Sequence, residues 1–219
     1  MPDAERGDLS AEGRRILSLL DTGMADLPET EGDRLFSREG AGRPFFTDLH
    51  ADFSISHSRN MAAAALLPSH GGKICRIGCD IQYIDPAKSC VGLGRRFFHK
   101  SEQAYIEKAD ESQVRNFYRI WVLKEAWIKL HGYSVFEIAK APVFKIGTPP
   151  AKNDNNELLY HLYELGESYM LAIVRQRLHS ADEGAEPVFR WFSGSKLTLN
   201  RVENINAEQI PENTVTPKI

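Results

Sequence analysis

The sequence predicts an α+β protein in two similar halves, and three observations carry that expectation. Apolar runs with turn-forming borders at residues 52–58, 60–67 and 74–81 precede one long helical pattern over residues 114–131. A second pair of runs, 158–163 and 169–175, brackets Gly166 as a hairpin would. Residues 53–67 and 159–174 echo each other: each gives a strand pattern, a polar corner and a small-apolar strand pattern. The echo suggests two α+β halves that meet near residues 86–92.

The elements follow in order. Residues 1–8 read as a loose start, and Ser10 as the cap of a helix that stops near Gly23. Residues 25–42 are polar and carry Gly32, Gly40 and Gly42, a loop with room for one short strand. Residues 52–58 read as a strand entering a polar corner, 60–67 as a buried strand or helix start, and 69–72 as a turn. Residues 74–81 form a buried strand pattern ended by Asp85-Pro86. Residues 91–98 lead to Ser101, a good cap for a helix over 102–109. In the long helix Phe117, Ile120, Trp121, Trp127 and Ile128 recur at spacings that line one face, and Gly132 ends it. Residues 147–156 are a turn-rich loop, and the polar stretch 200–219 is expected to be partly disordered.

Composition narrows the function classes. A chain of 219 residues, 42% hydrophobic, can bury a core as one large or two small domains. The net charge of -3 gives no global basic field for nucleic acid, and leaves a local phosphate pocket open. The three cysteines, Cys75, Cys79 and Cys90, are odd in number and argue against a disulfide scaffold. Cys75 and Cys79 lack a second pair at metal spacing, so they read as plain thiols. No apolar run approaches the roughly 20 residues that cross a bilayer. The polar, acidic start is not a signal peptide, and the expectation is a soluble, cytoplasmic protein.

Four pieces of sequence could carry chemistry. Asp80 stands near the end of the apolar strand 77–81, where an unpaired carboxylate is costly to bury. It reads either as a turn cap or as a site acid, and Gly78 lets backbone or ligand approach closely. Glu125 and Lys129 lie one turn apart on one helix face. They read as a surface ion pair or, flanked by Trp121 and Ile128, as a half-buried site pair. Ser54, Ser56, His57 and Ser58 crowd the corner of a strand, where hydroxyls and an imidazole can donate to phosphate or satisfy the turn itself. Ser56 and His57 are adjacent and face opposite ways on a strand, so they do not make a nucleophile–base pair. Arg43-Pro44 is the fourth: arginine suits bidentate phosphate binding, and it also occurs freely on surfaces.

Together and in this order, the pieces resemble the 4'-phosphopantetheinyl transferases, in their longer single-chain class. The matching residues are Gly42-Arg43-Pro44, the segment 53–58, Ile77-Gly78-Cys79-Asp80-Ile81, Arg96-Phe97-Phe98 with Ser101-Glu102, and Trp121-Val122-Leu123-Lys124-Glu125 with Lys129. The resemblance spans about residues 38–175. It implies an α+β pseudo-twofold fold, with residues 1–88 as a half carrying the coenzyme A phosphate motifs. Residues 89–199 would carry the catalytic helix and carrier contact, and 200–219 a tail. It implies an activity of the holo-[acyl-carrier-protein] synthase type: the phosphopantetheine arm of coenzyme A moves to a serine of an apo acyl or peptidyl carrier protein, and 3',5'-ADP leaves. The catalytic residues implied are Asp80, Glu125 and Lys129. Arg43, Pro44, Ser56, His57, Ser58, Lys124 and Lys129 would bind coenzyme A. Mg²⁺ would sit on Asp80 and Glu125, with Gln82 at a third position. Phe97, Phe98 and Tyr105 would meet the carrier, steered by Arg95, Arg96 and Lys100. A monomer is implied, without nucleic-acid or membrane partners, serving nonribosomal peptide, polyketide or siderophore synthesis.

Two departures stand out. Many members carry an acid where Gln82 stands, and an amide oxygen is a poorer Mg²⁺ ligand. The stretch ahead of Arg43 is also short. Gln82 gives the alternative reading, a coenzyme A-binding relative without catalysis.

Overall fold

The computed structural model describes residues 36–46, 51–69, 73–87, 90–108, 113–144, 146, 158–177, 189–191 and 200–202. The helix expected over 10–23 and the loop 147–156 lie outside these residues.

Strands β1 (Phe36–Glu39) and β2 (Arg43–Phe46) form an antiparallel ribbon whose turn uses Gly40 and Gly42, both at positive φ. The described part of the region expected as loop with one short strand, residues 36–42, holds one strand, β1, and β2 follows directly after it. Strands β3 (Ala51–Ser58) and β4 (Met61–Pro68) form a second hairpin, so residues 60–67 are strand rather than helix. Arg59 takes the left-handed conformation at its tip, with φ of 50°. Strand β5 (Ile77–Tyr83) starts three residues later and runs two further than the apolar pattern suggests.

Helices α1 (Cys90–Phe97) and α2 (Lys100–Glu107) follow. Ser101 is not the cap of α2. His99 is: its ring nitrogen Nδ1 accepts from the Ser101 N–H, and Glu102 accepts the His99 N–H at 2.9 Å. Histidine is a rare cap, and the strong preference of serine for that position misplaces the start by two residues. Helix α3 (Gln113–His131) agrees with its sequence period, and Gly132 at φ 69° terminates it. A 3₁₀ turn, Val135–Lys140, leads away and leaves Phe136 87% exposed. Strands β6 (Leu158–Leu165) and β7 (Tyr169–Gln176) form the expected hairpin, with Gly166 at φ 58°. Residues Asn200–Val202, expected as the start of a disordered tail, form a strand β9 paired with β8 (Phe189–Trp191).

One sheet has the order β5-β7-β6, all antiparallel. It joins β5, which precedes the division drawn at residues 88 and 89, to two strands that follow it. Along β5, residues 78, 80 and 82 face α3, whereas Ile77, Cys79 and Ile81 enter a core with Ala65 and Leu171. Gly78 is the point of closest approach. A Cβ built there would lie 2.0 Å from the Ala126 carbonyl oxygen and 2.7 Å from the Leu130 nitrogen.

The other edge of β5 has no backbone ladder. Its N–H groups donate instead to side chains of β3 at every second position or so: Ile77 to Asp52 at 2.7 Å, Ile81 to Ser56 at 3.2 Å, Tyr83 to Ser58 at 2.9 Å. The period-two spacing of these side chains matches the strand repeat, so a row of short polar groups satisfies an edge that would otherwise be buried unpaired.

Candidate functional site

The middle of β5 meets the last two turns of α3, and Asp80, expected near a strand end, is the central residue of the strand. Asp80 is 1% exposed, yet it is fully engaged. Its Oδ1 accepts from Lys129 Nζ at 2.6 Å and from Ser56 Oγ at 2.7 Å, and its Oδ2 accepts from Gln82 Nε2 at 3.1 Å. Lys129 Nζ also donates to Ser56 Oγ at 2.7 Å. Its side chain keeps 30% exposure, so this end of the cluster opens to solvent. Burial alone would lower the Lys129 pKa. The Asp80 carboxylate, with weaker help from Cys79 and Glu125, outweighs it and raises the pKa above its ordinary 10.5. Glu125 is half-buried one turn earlier on α3, near enough for its charge to act on the same ammonium. The thiol of Cys79 is pushed up to about 11 by burial and stays protonated at neutral pH.

Asp80, Gln82, Ser56, Ser58, Glu125 and Lys129 are therefore brought together. Ser58 Oγ approaches Gln82 Oε1 at 3.5 Å, at the edge of the cluster. His57 is exposed, and strand alternation turns it away from Ser56 and Ser58.

Two basic residues expected at coenzyme A are placed elsewhere. Arg43 is buried: Nε donates to the Lys129 carbonyl at 2.9 Å, and Nη2 to Asp52 at 2.5 Å and the Ile77 carbonyl at 3.3 Å. It closes the C-terminal end of α3, where carbonyls lack helical partners and a cation is favoured. Pro44 pairs with Arg38 across β1–β2. Lys124 is sealed in the core. Its ammonium meets Glu102 at 3.1 Å and the Pro142 carbonyl at 3.2 Å, between the rings of Phe98 and Phe144. Desolvation lowers its pKa, against the opposing pull of Glu102.

Of the aromatic residues expected to meet a carrier, Phe98 is buried, and Phe97 and Tyr105 are half-buried. Phe98 is 6% exposed and stacks on Phe117 at 5.3 Å, and the Tyr105 hydroxyl accepts from Arg119. Arg95, Arg96 and Lys100 do lie exposed. Sequence reasoning missed Glu102 as the partner of Lys124, and Asp52 as the partner of Arg43. Each is a pairing across tens of residues or between separate strands, and no local spacing signals it.

A divalent cation fits the chemistry of this donor set. Among the described residues no group of three or more His, Cys, Asp and Glu side chains gathers. One carboxylate, Asp80, contacts the Lys129 ammonium, and the charge of Glu125, one helical turn away, acts on the same group. Mg²⁺ commonly takes one or two protein carboxylates and completes its shell with water and ligand phosphates. Both Asp80 oxygens are engaged, by Lys129 and Ser56 on one side and Gln82 on the other, so a bound ion would take the place of one of these partners.

Comparison with known proteins gives the chain's relatives. The 4'-phosphopantetheinyl transferase superfamily model matches residues 76–174, from β5 through β7. The chain is similar to the 4'-phosphopantetheinyl transferase HetI of Nostoc sp., 30% identical over 126 residues, 55% of this chain and 51% of that protein. It is also similar to the transferase gsp of Aneurinibacillus migulanus, 32% identical over 103 residues, 47% and 40% of the two chains. Against the transferase AcpT of Salmonella typhimurium it is 35% identical over 125 residues, 55% and 58%. The chain spans about half the length of these curated relatives. No described helix is long and apolar enough to cross a membrane. Over residues 76–174, which include the strand and helix that build the cluster, the chain is similar to the 4'-phosphopantetheinyl transferase superfamily.

Proposed function

We propose that the protein transfers the 4'-phosphopantetheine arm of coenzyme A to a serine of an apo acyl or peptidyl carrier protein, with release of 3',5'-ADP. The observation that carries this reading is the convergence of Asp80, Lys129 and Glu125 at a strand–helix junction inside the superfamily domain.

The serine oxygen of the carrier forms a bond to the β-phosphorus of coenzyme A. The bond from that phosphorus to the bridging oxygen breaks, and 3',5'-ADP leaves with the electron pair. Glu125 accepts the serine proton, since it is the half-buried carboxylate at the open end of the cluster. Lys129, held protonated by Asp80, offsets charge on the departing phosphate. Asp80 and Glu125 would hold Mg²⁺, with Gln82 as a weaker third group. When bound, the ion supplies charge neutralisation for the pyrophosphate. His57, exposed at the corner, would contact coenzyme A phosphates. Exposed Arg95, Arg96 and Lys100 would steer an acidic carrier.

The two-halves architecture belongs to the same reading. The hairpins β3–β4 and β7–β6 flank β5 on its two edges, an arrangement that supports two related halves.

The test is incubation with coenzyme A, Mg²⁺ and a panel of apo carrier proteins, followed by mass spectrometry of the carrier. A gain of one phosphopantetheine arm is expected. Coenzyme A binding without transfer to any carrier would establish a silent relative instead.

A further inference from the structure

We propose that Ser56 is a positioning residue for Asp80 and not a phosphate contact, an inference that rests on the proposed function and assigns one more residue of its site. A serine hydroxyl has one proton to donate and two lone pairs to accept with. In this protein all three are engaged. The proton goes to Asp80 Oδ1 at 2.7 Å, and the lone pairs take Lys129 Nζ at 2.7 Å and the Ile81 N–H at 3.2 Å. Ser56 is 4% exposed, so its oxygen faces the interior. A phosphate oxygen needs a donor, and this hydroxyl has none to give without releasing Asp80.

The position is also mechanically determined. The Ile81 N–H ties Ser56 to the backbone of β5 one residue beyond Asp80, so the hydroxyl moves with the strand that carries the acid. Gln82 holds the other carboxylate oxygen from the same strand. The carboxylate is thus fixed from both oxygens, and Ser56 fixes the one that carries the ammonium. Groups that orient a metal-binding carboxylate in this way act on cation affinity, whereas phosphate contacts act on the affinity of the phosphate ligand itself.

Two binding measurements on the full chain separate these roles. Free Mn²⁺ is counted by electron paramagnetic resonance in the presence of coenzyme A, and coenzyme A is titrated calorimetrically in EDTA. Ser56→Ala should weaken Mn²⁺ binding on the order of tenfold and leave coenzyme A affinity in EDTA unchanged. Ser56→Thr, which keeps the hydroxyl, should restore Mn²⁺ binding. Ser56→Cys preserves volume with a weaker donor, and shows the same selective loss should the alanine variant not fold. His57→Ala should give the mirror result, a loss confined to coenzyme A. The proposal is overturned if Ser56→Ala, or Ser56→Cys in its place, loses coenzyme A affinity in EDTA and keeps Mn²⁺, or loses neither. A wild-type protein that binds no coenzyme A would instead strike the proposed function, and this inference with it.

Discussion

Helix α3 offers two lysines to two buried carboxylates. Lys124 meets Glu102 at 3.1 Å, and Lys129 meets Asp80 at 2.6 Å. Five residues apart, they point about 140° from each other around the helix axis. The Lys124 side chain is 2% exposed and lies between aromatic rings and carbonyls, whereas that of Lys129 is 30% exposed. Burial wins at Lys124 and lowers its pKa; at Lys129 the surrounding carboxylates win and raise it. The same pair of functional groups therefore does different work. The sealed pair pins α2 and the segment near Phe144 to the helix, through Glu102 bonds to Lys124 and to the Phe144 N–H. The open pair leaves a cation and a carboxylate at the edge of solvent, where a ligand can compete for either.

The largest effect should come from the open side. Glu125→Gln keeps shape and helix propensity, and should reduce transfer to the carrier by about 10²–10⁴-fold, the range of a lost general base. Circular dichroism should remain that of the wild type, and full activity would remove Glu125 from the chemistry. On the sealed side the loss should fall on stability. Lys124→Met leaves the Glu102 carboxylate buried without its cation, at a cost of about 3–5 kcal/mol in urea unfolding. Adding Glu102→Gln should recover most of it, and the double variant should bind coenzyme A as the wild type does. A double variant as unstable as the single would show that the two groups are not coupled.

A smaller effect belongs to Gln82, which steadies Asp80 through a single bond at 3.1 Å. Gln82→Ala should reduce turnover by about tenfold, far less than Asp80→Ala; equal losses would refute a minor role for Gln82. The smallest effect is the alkaline slope of stability. Lys129 has a raised pKa, so its contribution is complete below 10.5 and is lost as pH rises through the higher folded value. Lys124 has a lowered pKa, so its burial penalty is relieved as pH climbs toward 10.5. Denaturation at several pH values should show the falling limb disappear in Lys129→Met and the rising limb disappear in Lys124→Met. Identical slopes in the two variants would remove the distinction between the pairs.

Local pattern made much of this molecule legible. The alternation in β3, the small-apolar run of β4, the 3.6-residue period of α3 and the Gly166 turn each stand in a few consecutive residues. The shared helix face of Glu125 and Lys129 was legible for the same reason, because an i,i+4 pair is a short-range signal, whereas Asp80, read as a strand-end acid, sits at the centre of β5. What local pattern does not hold is the identity of distant partners. Arg43 and Lys124 look like phosphate ligands in sequence, yet their close partners, Asp52 and Glu102, stand in other strands and helices. Ser56 and Ser58 share a face by alternation, but only the adjacency of β5 reveals that backbone N–H groups fill that face.

Gly78 turns a missing side chain into a ruler. With only a hydrogen there, the strand bearing Asp80 and the helix bearing Glu125 and Lys129 rest against each other backbone to backbone. Adding one methyl would wedge them apart while every reacting group stayed in place chemically. Such a protein would keep its full inventory of functional groups and lose the spacing between Asp80 and Lys129.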